Sequence, residues 1–273
     1  MTALTAEISE ATAHYDRDGV VLIRQLISPA EIAEIRDTFT AQVETDDSLN
    51  FDDHLDPDDI LSRYPRFVHP HRHPETAAGR IARRMMTDPR IIEVVTELLG
   101  PVYGAQSMFY FKPPTARGQA LHQDNLFLQA HPETCLAAWI AVDDCDGENG
   151  GLMVVPGSHR IQILCPEDAD ESESFSTATV PVPDDVERVQ TVMKAGDVLF
   201  FHGSLVHGSK PNTSTDRFRR SLIFHYIPRA SVEVAQFYLP LVDPDAEPGS
   251  DEAWMQAAPE GGPCGLSWAA EGH

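Results

Sequence analysis

Basic residues are scarce in this sequence: lysine and arginine together number 20, against 43 aspartates and glutamates, for a formal net charge of −23. A surface of that sign repels phosphate backbones and anionic lipid, so neither nucleic acid nor an acidic membrane is an expected partner, and small molecules are. Cysteine is sparse as well. Cys135, Cys145, Cys165 and Cys264 make no C-x-x-C pair, and Met1 to Thr12 lack the basic and apolar regions of a signal peptide, a combination that fits a reducing cytoplasm. Long apolar runs are missing too. The longest, Leu136 to Val142, falls far short of the roughly 20 residues that span a bilayer, so no membrane segment is expected. Nothing in the pattern separates a monomer from a homodimer.

What is present is enough apolar residue, 42%, for a buried core. Thr5 stands where it would cap a helix carrying Ile8, Ala11 and Tyr15 on one face and ending near Gly19, after which Val20 to Ile23 reads as a buried strand. Ser28, Pro29 and Glu31 occupy the N-cap, first-turn and capping-box positions of a second helix with Ile32, Ile35 and Phe39 at helical spacing. Thr45 to Asp59 is crowded with aspartates and has no apolar period, which predicts a solvated loop or flap. Asp88 and Pro89 open a further helix that runs through Leu99 and stops at Gly100.

Beyond that point the pattern changes. Ser107 to Phe111, Leu136 to Val142, Leu152 to Val155, Val198 to Phe201 and Leu222 to Ile227 are short β-prone runs between Gly, Pro and Asp clusters, as in an antiparallel sandwich or barrel. Glu167 to Ser176 is a second acidic stretch, expected over one mouth of that barrel. The expected organisation is one α+β, mainly β domain over residues 1–273. It has a helical part at about 1–100, a barrel core at about 101–230 and an extended, partly disordered tail at about 244–273.

His122 and Asp124 form a His-x-Asp pair. On a strand, residues two apart share a face, so both would reach one metal while Gln123 turns away. Two imidazoles and one carboxylate on one face are the ligand set of non-haem Fe(II) oxygenases, which keep three coordination positions open. The spacing by itself is common: His14-Tyr15-Asp16, His54-Leu55-Asp56 and the His-Pro-Glu triplets at His73 and His131 share it. Those four lie at a helix end, in the acidic loop, or beside a proline that disrupts strand pairing, whereas His122 sits among β-prone runs. The third ligand is sought just past the strand that follows Gly196, where His202 and His207 compete.

Three segments resemble the phytanoyl-CoA dioxygenase family of iron- and 2-oxoglutarate-dependent oxygenases: Leu121-His122-Gln123-Asp124, Asn149 to His159, and His207 to Asn212 followed by Arg217-Phe218-Arg219-Arg220-Ser221. The resemblance runs from about Tyr15 to Tyr226. It implies a double-stranded β-helix (jelly-roll, cupin-like) core with flanking N-terminal helices. It also implies Fe(II) on His122, Asp124 and His207, with 2-oxoglutarate and O₂ as co-substrates. Arg219 is the implied partner of the distal carboxylate of 2-oxoglutarate, with Arg217 and Arg220 as rivals, and Ser209, Lys112, Met108 and Trp139 are implied co-substrate neighbours. Met108 and Trp139 serve equally well as core packing.

The activity implied is a dioxygenase that hydroxylates a small molecule and releases succinate and CO₂. Related halogenases lack the carboxylate ligand, so Asp124 favours hydroxylation, or desaturation or ring chemistry, over halogenation. The family's substrates range from acyl-CoA thioesters to amino acids and secondary metabolites, and its name does not specify this chain's. His69, His71 and His73, with Tyr64, Arg66 and Phe67, are expected near the substrate mouth. Two other readings use the same barrel: a Lewis-acid isomerase or hydrolase needing no 2-oxoglutarate, and a non-catalytic binding barrel.

Overall fold

The computed structural model describes residues 4–51, 56–132, 134–247 and 249–265. Helices dominate the first hundred residues: α1 Leu4–Asp18, α2 Pro29–Thr45, α3 Ile60–Arg63, α4 Ala77–Met86 and α5 Pro89–Leu99, with a short α6, Asn125–Leu128, later in the chain. The caps read from the sequence start α2 and α5. Ser28 and Glu31 exchange hydrogen bonds in a capping box, and the Asp88 side chain accepts from the Arg90 amide, satisfying amides that the first helical turn leaves without partners. Thr5 lies inside α1 rather than capping it. Gly19 ends that helix at φ +77°, where a Cβ would collide with the His159 ring.

The strands are β1 Val20–Ile23, β2 Phe67–Val68, β3 Val102–Tyr110, β4 Gln119–His122, β5 Leu136–Ala141, β6 Leu152–Val154, β7 Glu167–Asp168, β8 Ala178–Thr179, β9 Val189–Gln190, β10 Val198–His202, β11 His207–Ser209, β12 Ser221–Pro228, β13 Glu233–Val234, β14 Leu241–Val242, β15 Glu252–Ala253 and β16 Gln256–Ala257. The larger sheet runs β1-β10-β5-β12-β3-β14-β15, with β2 also on β3, and the smaller runs β4-β11-β6-β9. Together they form the double-stranded β-helix, with strands neighbouring in space drawn from both ends of the chain.

Alternation along the strands explains both faces of the larger sheet. Phe200, Leu222, Phe224, Tyr226 and Phe109 point outward, where they pack under Phe39, Ile35 and Met85 of the helices. Phe39 stacks on Phe109 with ring centroids 4.1 Å apart. The intervening residues, including Met108, Trp139, Leu199, Phe201 and Ile223, point inward against Leu152 and Val154 of the smaller sheet. The inner layer is where a pocket opens.

Two expectations change here. The described part of the tail carries strands: β15 extends the larger sheet through β14, and β16 pairs with β13. Cys165 and Cys264 are joined by a disulfide while Cys135 and Cys145 are free and buried, so the cysteine pattern does not argue for a reducing compartment. Among the described residues no helix is long and apolar enough to cross a membrane.

The two acidic stretches meet at one arginine. Arg117 donates to the Asp59 carboxylate at 2.5 Å and to the carbonyls of Glu171 and Ser174, tying together the loops read as flap and barrel-mouth cover.

Candidate metal centre

β4 ends at His122 and β11 begins at His207, and the two residues are directly paired across the smaller sheet. Their rings lie 4.2 Å apart. Asp124 reaches them by a route the strand argument did not foresee. The chain leaves β4 after His122, and Asp124 adopts helical φ −59° and ψ −36° as it enters α6. Its carbonyl accepts the amides of Phe127 and Leu128. A continuing strand would have carried residue 124 roughly 6–7 Å further along. The turn instead brings Asp124 Oδ1 to 3.5 Å from Nε2 of both His122 and His207. Gln123 does face away, fully buried, with its amide bonded to Ser204 and Leu164.

Backbone carbonyls set both imidazoles. His122 Nδ1 lies 2.9 Å from the Ala120 carbonyl and His207 Nδ1 lies 3.0 Å from that of Leu205. A carbonyl only accepts, so each Nδ1 carries the proton and each Nε2 presents its lone pair to the centre. Burial holds the His207 imidazole down at about 4 against the pull of Asp124, which keeps that lone pair available at neutral pH. Burial pushes the Asp124 carboxyl up, but the neighbouring His207 and His225, with the hydrogen bond from His225, outweigh it and hold the group well below the usual carboxylate range. The three donor atoms lie within 4.8 Å of one another. Two neutral nitrogens and one anionic oxygen, converging from one side, fit a divalent transition metal.

The second oxygen of Asp124 is held by a residue the sequence reading missed: His225 Nε2 lies 3.0 Å from Oδ2. The available signal was a lone polar residue on the inward face of the apolar run Leu222 to Ile227.

Arg219 and Ser209 stand beside the triad in the same pocket. Arg219 is 4% exposed and has no carboxylate partner among the described residues. Its Nε donates to the Gly150 carbonyl and its Nη1 to Ser221 Oγ, its guanidinium lies 5.5 Å from the centroid of the Trp139 ring, and burial lowers its pKa to about 10. The rival arginines are engaged elsewhere: Arg217 pairs with Asp146 and Glu148, and Arg220 with Asp143. Ser209 Oγ accepts from Lys112 Nζ at 2.7 Å and from the Gln119 amide at 3.3 Å. With both lone pairs used, its own proton is left to donate.

Lys112 does not line the pocket. Its ammonium is spent on Gly150, Ser209 and Lys210, and burial together with Arg219 lowers its pKa well below the usual range. Gly150, at φ +72°, lets its carbonyl serve Lys112 and Arg219 together. Met108 and Trp139 line the pocket and also pack in the inner layer.

Other candidates fall away from the centre. His202 Nδ1 accepts the Ser204 amide, and its ring sits by Tyr15 and His159. His14 contacts Arg17 at the surface, and His73 contacts Glu75. His131 bridges to Glu233. His54, Leu55 and Glu133 lie outside the described residues. Phe67 is in the outer core, Tyr64 packs on Phe111 and Phe218, and Arg66 stacks among Phe51, Tyr110 and Phe175. His69 and His71 are buried beside one another, with His71 Nδ1 on Ser107 Oγ.

Residues 15–221, which hold the triad and Arg219, match the phytanoyl-CoA dioxygenase (PhyH) family. The chain belongs to that family. Among PhyH relatives, the peroxisomal phytanoyl-CoA dioxygenase of Bos taurus is 27% identical over 238 residues, covering 80% of this chain and 67% of its own length. Phytanoyl-CoA dioxygenase 1 of Oryza sativa subsp. japonica is 37% identical over 123 residues, 45% of this chain and 43% of its own length, so the match spans under half of that relative. Among solved structures, the non-heme alpha ketoglutarate dependent epimerase SnoN from nogalamycin biosynthesis aligns with a TM-score of 0.67 at 23% identity, covering 95% of this chain and 98% of that one. The carbocyclase SnoK from the same biosynthesis aligns at 0.64 and 25% identity, covering 82% and 85%. EctD from S. alaskensis in its apoform aligns at 0.63 and 23%, covering 84% and 77%.

Proposed function

We propose that this chain is an iron(II)- and 2-oxoglutarate-dependent dioxygenase that hydroxylates a small molecule with release of succinate and CO₂. The observation that carries the reading is Arg219, a buried guanidinium without a carboxylate partner among the described residues, in the pocket of the His122, Asp124 and His207 triad. A buried cation is costly unless paired, so the site is built to receive a carboxylate. A Lewis-acid isomerase or a plain binding barrel would need such a residue only if its own ligand carried a carboxylate.

Iron and 2-oxoglutarate, when bound, supply the oxidising power by activating O₂. The protein's residues do the rest. His122 and His207 offer Nε2 and Asp124 offers Oδ1 to the metal. Arg219 and the Ser209 hydroxyl hold the distal carboxylate of the co-substrate, a charge-assisted pairing that a guanidinium fork suits. Trp139 and Met108 wall the co-substrate, and Phe127, Leu128 and Ile223 present an apolar surface that excludes bulk water. SnoN and SnoK are described as an epimerase and a carbocyclase, so hydroxylation is the finer part of this proposal; Asp124 in the ligand set favours it over halogenation.

Anaerobic titration of metal-free protein with Fe(II) and then 2-oxoglutarate tests the proposal. A weak visible absorption that needs both components is expected. Iron binding without that absorption would favour the Lewis-acid reading instead.

A further inference from the structure

His225 is a buried polar residue that the reading above leaves without a task. Its Nε2 lies 3.0 Å from Asp124 Oδ2, and its Nδ1 has no hydrogen-bond partner. The carboxylate is therefore the ring's only hydrogen-bonding contact among the described residues. Leaving one ring nitrogen unsatisfied costs about 1–3 kcal/mol, so packing alone does not account for an imidazole here.

Two features of the sheet aim it at Asp124. The pairing of β12 with β3 slips at this point: His225 stands opposite Gln106, but Tyr226 stands opposite Gly104. Such bulges re-aim side chains next to functional sites. On its other flank His225 faces Ala137 of β5, whose single methyl leaves the inner layer open for the imidazole.

The two oxygens of Asp124 are thereby divided. Oδ1 faces the two Nε2 atoms at 3.5 Å, and Oδ2 accepts the N–H of His225. A carboxylate held in this way offers a metal one oxygen. Released, it can chelate through both and occupy a position that the two-histidine, one-carboxylate set otherwise keeps open. We infer that His225 is a positioning residue that restricts Asp124 to one-oxygen coordination and so keeps all three remaining positions open, two for 2-oxoglutarate and one for O₂. The inference rests on the iron and 2-oxoglutarate reading and adds to it a task for a residue outside the triad.

Side chains of different reach test it. Gln at 225 places an amide N–H near the position of Nε2, whereas Asn reaches only that of Nδ1, and Leu donates nothing. Each purified variant is titrated with Co(II), whose visible ligand-field absorption reports coordination number, and then with 2-oxoglutarate. His225→Gln is expected to keep the parent spectrum and bind 2-oxoglutarate within about threefold of the parent. His225→Asn and His225→Leu are expected to bind Co(II) with a spectrum altered both before and after 2-oxoglutarate is added, because the second carboxylate oxygen displaces a solvent ligand. Parent-like spectra in Asn and Leu would overturn the inference, as would a change in Gln equal to that in Asn. If His225→Leu does not fold, the Gln and Asn pair decides. Failure of the unsubstituted protein to bind Co(II) would instead overturn the metal reading on which the inference stands.

Discussion

Lys112, buried behind the pocket lining, donates a 2.7 Å hydrogen bond to Ser209 Oγ. The ammonium fills a lone pair of the hydroxyl and so turns Ser209 into a donor toward the pocket. Ser209→Ala is expected to weaken 2-oxoglutarate binding about tenfold, the worth of one hydrogen bond to a charged group. Lys112→Met, which frees the hydroxyl to rotate, should weaken it less while lowering the unfolding temperature, because three acceptors lose their donor. Calorimetric titration with 2-oxoglutarate and thermal unfolding separate the two effects; equal affinity in Ser209→Ala would remove the hydroxyl from the co-substrate site.

Arg219→Ala is expected to raise the 2-oxoglutarate concentration for half-saturation by tenfold or more. Arg217→Ala should leave it within about twofold, since that guanidinium is engaged by Asp146 and Glu148 at the surface. Saturation curves of 2-oxoglutarate consumption for the two variants make the comparison. The reverse order would transfer the carboxylate partner to Arg217.

His207→Ala should abolish metal-dependent turnover and reduce bound iron, whereas His202→Asn should keep both, because His202 sits by Tyr15 and His159 rather than in the triad. Iron content after desalting, measured by elemental analysis, checks this independently of substrate. Retained iron in His207→Ala would return His202 to consideration as the ligand.

Acid should destabilise the metal-free protein through its buried histidines. Burial lowers His202 to about 4 and, joined by Arg72 nearby, holds His69 and His71 well below their usual range. Between pH 6.5 and 4 the unfolded chain takes up protons that the folded imidazoles refuse, so stability falls as pH falls through that window and is insensitive to these groups above it. His202 contributes about 2 kcal/mol, discounted because its ring is partly exposed. Unfolding temperature followed from pH 7.5 to 4.5 should decline below pH 6.5, and less steeply in His202→Gln. An identical decline in that variant would assign the loss to other groups.

Much of the helical part was readable because its signals are local. The capping box at Ser28 and Glu31, the Asp88 cap and the Val20 to Ile23 run each involve neighbours in sequence. Helix α4 escaped notice: its start at Thr76 follows a His-Pro-Glu triplet that draws attention to metal ligation. Thr5 shows the opposite failure, a good cap residue overridden by a helix that includes it. The tail reads as extended and partly disordered by composition, yet pairing of β14 with β15 and the link from Cys264 to Cys165 tie down its described part, and the disulfide depends on a partner remote in sequence.

The same division runs through the site. The sequence by itself determined the donors: two histidines, an aspartate and an arginine, in segments whose turns and apolar runs reserve them for a barrel. Which histidine joins His122, which of three arginines is buried without an acid, and how Asp124 divides its oxygens were decided by tertiary structure. Those choices depend on strand register, on a helical turn after His122 and on a bulge opposite His225. Register and bulges arise from packing between segments a hundred residues apart, which no local pattern encodes.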